Sequence, residues 1–208
     1  MQLLLTDRLT CPRCGPEFGL ILLANQLVER RVLDGVLGCP NCRDSFAIVS
    51  GFADLRPPPR VALDAGTSRP VDADADEAAR LAALLGVVGG PGTVALVGWP
   101  SRHAASLADR VEGVEFVAVD SDARDWPERP GVSRMVAGPG LPFFPQSLRG
   151  VVLDGRLGGE SIREAARVVA PRSRVVLVDA VAGSQEHLEA GGLTVLAEEG
   201  ETVVAARG

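Results

Sequence analysis

Thr93-Val94-Ala95-Leu96-Val97-Gly98 decides how the larger part of this chain folds. A short uncharged apolar run closed by glycine reads as a strand covered on both faces, as in a parallel sheet. Working outward, Ala104, Leu107, Ala108 and Val111 repeat at helical spacing, with Ser101 placed to cap that helix. Further strands are expected over residues 114–119, over Val151-Val152-Leu153 and over Arg174-Val175-Val176-Leu177-Val178. Between the last two lies an Ile162, Ala165, Ala166, Val169 stripe. Ser161 and Glu164 form a capping-box pattern ahead of it, and Pro171 is placed to stop it. Residues 193–196 and 202–205 read as two short strands joined by Glu198-Glu199-Gly200-Glu201. Upstream, Leu81, Leu84 and Leu85 make one helical face that Gly86 can end. Alternating units of this kind predict a doubly wound α/β domain closed by a terminal hairpin.

The four cysteines carry the strongest chemical signal. They form Cys11-Pro12-Arg13-Cys14 and Cys39-Pro40-Asn41-Cys42, with 24 residues between the pairs. Two thiolates two residues apart grip one side of a tetrahedral ion, and a second pair closes it. Cys11, Cys14, Cys39 and Cys42 are therefore expected to hold one structural zinc ion. Gly15 follows the first pair, where the chain must turn back. Disulfides would need an oxidising compartment, whereas residues 1–5 lack a basic start and Asp7 interrupts the apolar run too early for a secretory signal. A redox CxxC would stand once, at a helix start. The runs Leu20-Ile21-Leu22-Leu23, Val32-Leu33, Val36-Leu37 and Phe46-Ala47-Ile48-Val49 are expected to be the antiparallel strands of a small ribbon.

Residues 1–58 thus read as a zinc-ribbon domain, 59–73 as a proline-rich acidic linker and 74–208 as the α/β domain. The ribbon is expected to pack against the larger domain, and to unfold without its metal while the larger domain stays folded. Residues 81–100 carry no charge and approach the length of a membrane span, but Gly89-Gly90-Pro91-Gly92 would break a lipid-exposed helix. The chain reads as soluble and cytoplasmic. All 21 basic residues are arginine, which lowers the weight any single arginine carries. Net charge is −6, which does not favour nucleic acid as a partner, without excluding it.

Residues 93–208 resemble a class I S-adenosylmethionine-dependent methyltransferase of the ubiquinone-biosynthesis type. The residues that carry this are the strand ending at Gly98, the strand ending in Asp120, Leu141-Pro142-Phe143, and Ile162-Arg163-Glu164-Ala165-Ala166-Arg167-Val168-Val169-Ala170-Pro171. The resemblance implies a Rossmann-like, seven-stranded sheet with a reversed final strand. Residues 1–58 resemble the small zinc-ribbon subunit that activates several methyltransferases, down to Val49-Ser50-Gly51-Phe52-Ala53-Asp54-Leu55. That implies a protein partner or a homodimer.

The cofactor residues depart from the family pattern. Leu96 stands in place of an acid, and the glycine-rich turn reads Gly98-Trp99-Pro100-Ser101-Arg102. Pro100 has no N–H, and Arg102 places a long side chain where an open surface is expected. Ala137 aligns with the adenine-contacting acid, Arg149 with an aspartate, and Arg172-Ser173 with a Gly-Gly pair. Asp120, the ribose-binding acid in the family, is retained. The implied cofactor residues are Gly98 and Asp120, with Trp99, Ser101 and Arg102 in a degenerate turn. S-adenosylmethionine is expected to bind weakly or not at all, so a non-catalytic binding or scaffold protein is the first reading. An active methyltransferase acting on a small molecule or RNA is the alternative. Asp154 and Asp179 are expected at strand ends facing the crevice, His103 and His187 on helix surfaces, and Trp99 and Trp126 in packing. Arg102 beside free helix amides is a candidate anion holder.

Overall fold

The structure, a computed structural model, describes residues 1–63 and 75–208. Of the expected linker, residues 64–73 lie outside that description. The first segment forms β1 (Thr10–Cys11), β2 (Gly15–Gly19), β3 (Ile21–Val28), β4 (Arg31–Gly38), β5 (Ser45–Val49) and β6 (Phe52–Leu55). The second forms α1 (Ala75–Leu85), β7 (Gly92–Val97), α2 (Ala104–Arg110), β8 (Val114–Val119), β9 (Val132–Ala137), β10 (Leu148–Asp154) and α3 (Gly159–Val168). It ends with β11 (Val169–Val178), α4 (Ser184–Ala190), β12 (Thr194–Glu199) and β13 (Thr202–Ala206).

Among the described residues, β1 and β2 form a hairpin and the other eleven strands form one sheet, ordered β12-β13-β11-β10-β7-β8-β9-β6-β5-β4-β3. Strands β7 to β11 are parallel, and β13 runs antiparallel between β11 and β12. The stretch from β9 to β12 is a Rossmann-like sheet with a reversed strand. Its order changes direction beside β7, where β8 lies on one side and β10 on the other.

The cysteine-bearing segment lengthens this sheet. Strand β6 lies parallel to β9, with Phe52 opposite Arg134 and Leu55 opposite Ala137. Strands β5, β4 and β3 continue outward as an antiparallel meander. Without β6, β9 would present an unpaired ladder of N–H and C=O groups. More bonds fasten the two segments: Thr10 N–H donates to the Pro142 carbonyl at 2.9 Å, and Phe144 N–H to Arg8 at 3.1 Å.

Alternation along the strands sorts the core into two layers. Val94 and Leu96 face α1 and α2, together with Leu81, Leu85 and Leu107. Ala95 and Val97 face the opposite side, with Ile162 and Ala166 of α3, Leu188 of α4, and also Cys11, Cys39, Leu37, Phe46 and Ile48. The second layer is therefore one core built by both segments.

Several local expectations are corrected. Val32-Leu33 and Val36-Leu37 belong to one strand, β4, because Gly35 lets the chain pass Leu23 and Ala24; a Cβ there would sit 2.7 Å from the Leu23 carbonyl oxygen. Ser101 does not cap α2. It lies inside a 3₁₀ turn, Trp99–His103, and its N–H is taken by the Gly98 carbonyl at 2.9 Å. The Ser161 and Glu164 capping box is absent, since Gly158 is the cap residue and Glu164 instead accepts from Leu141 N–H at 2.9 Å. Pro171 does not end α3; the helix stops at Val168, and Pro171 lies within β11. Gly86 does end α1, at φ +66°, with its N–H shared by the Ala82 and Ala83 carbonyls. No helix among the described residues is long and apolar enough to cross a membrane.

Candidate cofactor cleft and cysteine centre

Strand β1 delivers Cys11 and the turn after β4 delivers Cys39, both buried, while Cys14 and Cys42 are half-buried at the knuckle ends. Their four sulfurs lie within 4.8 Å of one another, with Cys11 to Cys42 at 3.7 Å and Cys39 to Cys14 at 3.8 Å. Four Zn–S bonds of about 2.3 Å in a tetrahedron put the sulfurs ~3.8 Å apart, so the spacing fits such an ion. It is far beyond the ~2.05 Å of a disulfide. The sulfurs already receive donors, as thiolates on a metal require: Cys14 N–H reaches Cys11 at 3.4 Å and the Asn41 amide reaches Cys14 at 3.3 Å. Burial resists ionisation of Cys39, yet the N–H groups of Cys42 and Asn41 bring its pKa down to about 7. Gly15 turns the chain at φ +98°, and Arg43 makes the matching turn after the second pair at φ +61°.

A cleft of about 410 Å³ opens at the carboxyl ends of β7, β8 and β9, beside the point where the strand order changes direction. Open α/β sheets bind ligands there. Gly98, Asp120 and Ala137 stand on its walls, and Leu157, Glu160 and Ser161 close it from the β10 side. The Asp120 carboxylate accepts from Asp122 N–H at 2.9 Å in a local turn, and the residue lines the cleft. Trp99, Ser101 and Arg102 are not on these walls. Ser101 is buried, and the Arg102 guanidinium lies 4.9 Å over the Trp99 ring, folded away from the space it was expected to invade.

The turn after β7 is closed by its own neighbours. Gly98 N–H is spent on the Val119 carbonyl at 3.0 Å, Ser101 N–H on Gly98, and Pro100 has none. The Trp99 N–H faces the Asp154 carboxylate and adds to the groups that favour its charge. The bare face of Gly98 is filled too: a Cβ there would meet Leu157 Cδ1 at 3.0 Å and Asp154 Cβ at 3.1 Å. Leu157 gave no sign in the sequence, because an apolar loop residue after a strand looks like packing.

Asp154 and Asp179 are at the ends of β10 and β11, but Arg156 bridges them at 2.8 and 3.3 Å, so they do not form a free acidic pocket. Burial works against the Asp154 charge, but Arg156 and the Trp99 N–H outweigh it and hold its pKa below the usual carboxylate value. His103, expected on the surface, is buried and edge-on to Trp99 with ring centroids 5.2 Å apart. His187 packs over Gly159, where a Cβ would collide with its ring. Arg149 donates to the Gly90 and Pro91 carbonyls at 3.0 and 3.2 Å, while Arg172 N–H donates to Arg207 at 2.9 Å.

A second, larger cavity of about 440 Å³ adjoins the cleft. Pro12 and Pro16 of the first knuckle and Pro57 form one side, and Arg163 and the Glu164–Arg167 pair of α3 the other. Gly138, Pro139, Leu141 and Glu160 belong to both cavities.

No family model and no curated protein matches this chain. Among solved structures, an S-adenosylmethionine-dependent methyltransferase from Listeria monocytogenes is similar at 11% identity and a TM-score of 0.50, covering 64% of this chain and 99% of that one. A structure of the Haloferax volcanii Trm112 methyltransferase activator in complex with a methyltransferase matches at 17% identity and 0.47, covering 60% and 70%. An antibiotic-pathway methyltransferase from Anabaena variabilis matches at 18% and 0.42, covering 50% of this chain. The chain spans 44%, 62% and 66% of the first three structures it matches. Strand order and the likeness to the Listeria structure agree: the α/β part has the Rossmann-like fold of class I methyltransferases, with a small cysteine-bearing β segment built onto its edge.

Proposed function

We propose that this chain is a methyltransferase-like binding or scaffold protein that has lost the methionine end of its cofactor site and keeps the nucleoside end. One observation carries the reading: in the turn after β7 the Gly98 and Ser101 amides are bonded within the fold, Pro100 has none, and Leu157 with Asp154 fills the space before Gly98. In this architecture the glycine turn lets backbone N–H groups meet the ligand. Asp120 and the neighbouring cleft remain open to a ribose and its base. Zinc held by Cys11, Cys14, Cys39 and Cys42 keeps β3 to β6 in place as a structural ion. The two-part division into residues 1–58 and 74–208 belongs to this proposal, with the first part an activator-like ribbon working in cis. Thiols placed for a metal suit a reducing cytoplasm. A protein partner or a second copy would complete a scaffold role.

The test is a comparison of ligands by thermal shift. Adenosine and S-adenosylhomocysteine would stabilise the protein equally, because the amino-acid half finds no partner. A shift clearly larger for S-adenosylhomocysteine would overturn the reading. The alternative, an active methyltransferase, is favoured by the walls shared between the two cavities, which would set a small acceptor beside a bound donor. Transfer of labelled methyl groups to a small-molecule or RNA fraction would decide for it.

A further inference from the structure

A separate cavity of about 240 Å³ lies between α2 and the connection from β8 to β9, and it shares no residue with the cleft or the knuckle cavity. Its walls are Ala104, Ala105, Trp126, Pro127 and Val132, together with three arginines, Arg102, Arg129 and Arg134. No carboxylate stands among its lining residues, in a chain whose net charge is −6. The three guanidiniums are held in different ways. Arg134 is buried, fixed by carbonyls of Ala123, Arg124, Trp126 and Ser50, with Glu128 at 3.9 Å as its nearest acid. That acid is shared with Arg31, at 3.2 Å, so the Arg134 charge is only partly offset. Arg102 is oriented by its stack on Trp99, and Arg129 is exposed at the rim. Neither Arg102 nor Arg129 forms an ion pair among the described residues.

We infer that this cavity is a binding site for a small aromatic anion, a flat apolar body carrying one carboxylate or phosphate. The ring would lie against Trp126 and the alanines, and the anionic group between Arg102 and Arg129 over the fixed charge of Arg134. Guanidiniums suit such groups because their planar N–H forks match two oxygens at once. The size fits a single ring with its substituent, not a dinucleotide. The inference stands apart from the cofactor cleft and does not depend on the proposed function.

The probes are phenyl phosphate, benzoate, inorganic phosphate and benzyl alcohol, titrated into the full chain while tryptophan emission is followed. Phenyl phosphate or benzoate would change the emission saturably, and whichever binds identifies the anionic group preferred. Inorganic phosphate would bind at least tenfold more weakly, and benzyl alcohol not measurably. Arg129→Gln, at an exposed side chain with no bond to the described residues, would weaken binding by about tenfold or more, the scale of one charge-assisted hydrogen bond. Trp126→Phe would diminish the optical change, leaving that of Trp99 beneath Arg102, while calorimetry still detects binding. No saturable response to either aromatic anion would overturn the inference. So would equal binding of benzyl alcohol, equal binding of inorganic phosphate, or unchanged affinity in an Arg102→Gln, Arg129→Gln double variant with wild-type circular dichroism.

Discussion

Removing the metal from the four cysteines is expected to loosen the methyltransferase-like sheet as well as the cysteine segment. A structural zinc ion contributes roughly 10–16 kcal/mol in small peptides, whereas a whole domain is stable by about 5–15 kcal/mol. The metal-free segment therefore cannot hold its strands. Its departure takes Leu37, Phe46, Ile48 and Leu55 out of the shared core, where each is at most 1% exposed. At about 1.5–3 kcal/mol per buried side chain, those four alone represent roughly 6–12 kcal/mol. It also strips β6 from β9 and leaves that edge bare. Hydrogen exchange followed by mass spectrometry, with and without a strong chelator at neutral pH, reads the outcome by segment. Residues 45–55 and 132–137 should lose protection together, while residues 175–178, on the far side of β7, keep more of theirs. Full protection of 132–137 alongside loss in 45–55 would refute the shared-core argument and restore the ribbon as an independent unit. Undiminished protection everywhere would refute a structural metal.

Other outcomes follow from particular contacts. Leu157→Ala opens the space before Gly98 and should tighten S-adenosylhomocysteine binding severalfold relative to wild type, by calorimetry; no change would mean Leu157 is not what closes the site. Burial opposes the Glu164 charge, but Arg167 and Leu141 N–H hold its pKa below the usual value, so its contribution is present above the unfolded value of about 4.3 and is lost as pH falls through the lower folded value. Chemical denaturation of wild type and Glu164→Gln should therefore differ at neutral pH and converge as the pH falls through the lowered folded value. Gly35→Ala would place a methyl 2.7 Å from the Leu23 carbonyl oxygen, and should lower the stability of the β3–β4 hairpin by about 1–3 kcal/mol in the same assay.

The fold was legible because its strands are buried on both faces and so are written as unbroken apolar runs. Thr93-Val94-Ala95-Leu96-Val97 is the clearest. The clustering of the four cysteines was equally plain, since two short pairs of this kind are what a tetrahedral metal site would need. The joining of the two segments into one sheet was not legible. Phe52-Ala53-Asp54-Leu55 looks like the tail of a small domain, and nothing local says that it pairs with residues 132–137. Termini of short elements also escaped, because Pro171 and Ser101 obey the sheet and the 3₁₀ turn before their own preferences. Arg102 shows the limit most clearly. Its position in the turn was right, but a long side chain has room to choose, and the Trp99 ring drew it away from the cleft.

The central claim is that the cofactor site is closed at its methionine end by the bonded Gly98 and Ser101 amides and by Leu157, with Asp120 left on the cleft wall as the acid for the ribose. Calorimetric titration of wild type and Asp120→Ala with S-adenosylmethionine tests it directly. Two missing backbone hydrogen bonds and a missing acceptor at Ala137, at about 0.5–1.5 kcal/mol each, weaken binding by roughly one to three orders of magnitude. The account predicts a dissociation constant weaker than about 100 μM for wild type, and no measurable binding once Asp120 is replaced. A low-micromolar constant that is lost in Asp120→Ala would contradict it and make this cleft a working cofactor site.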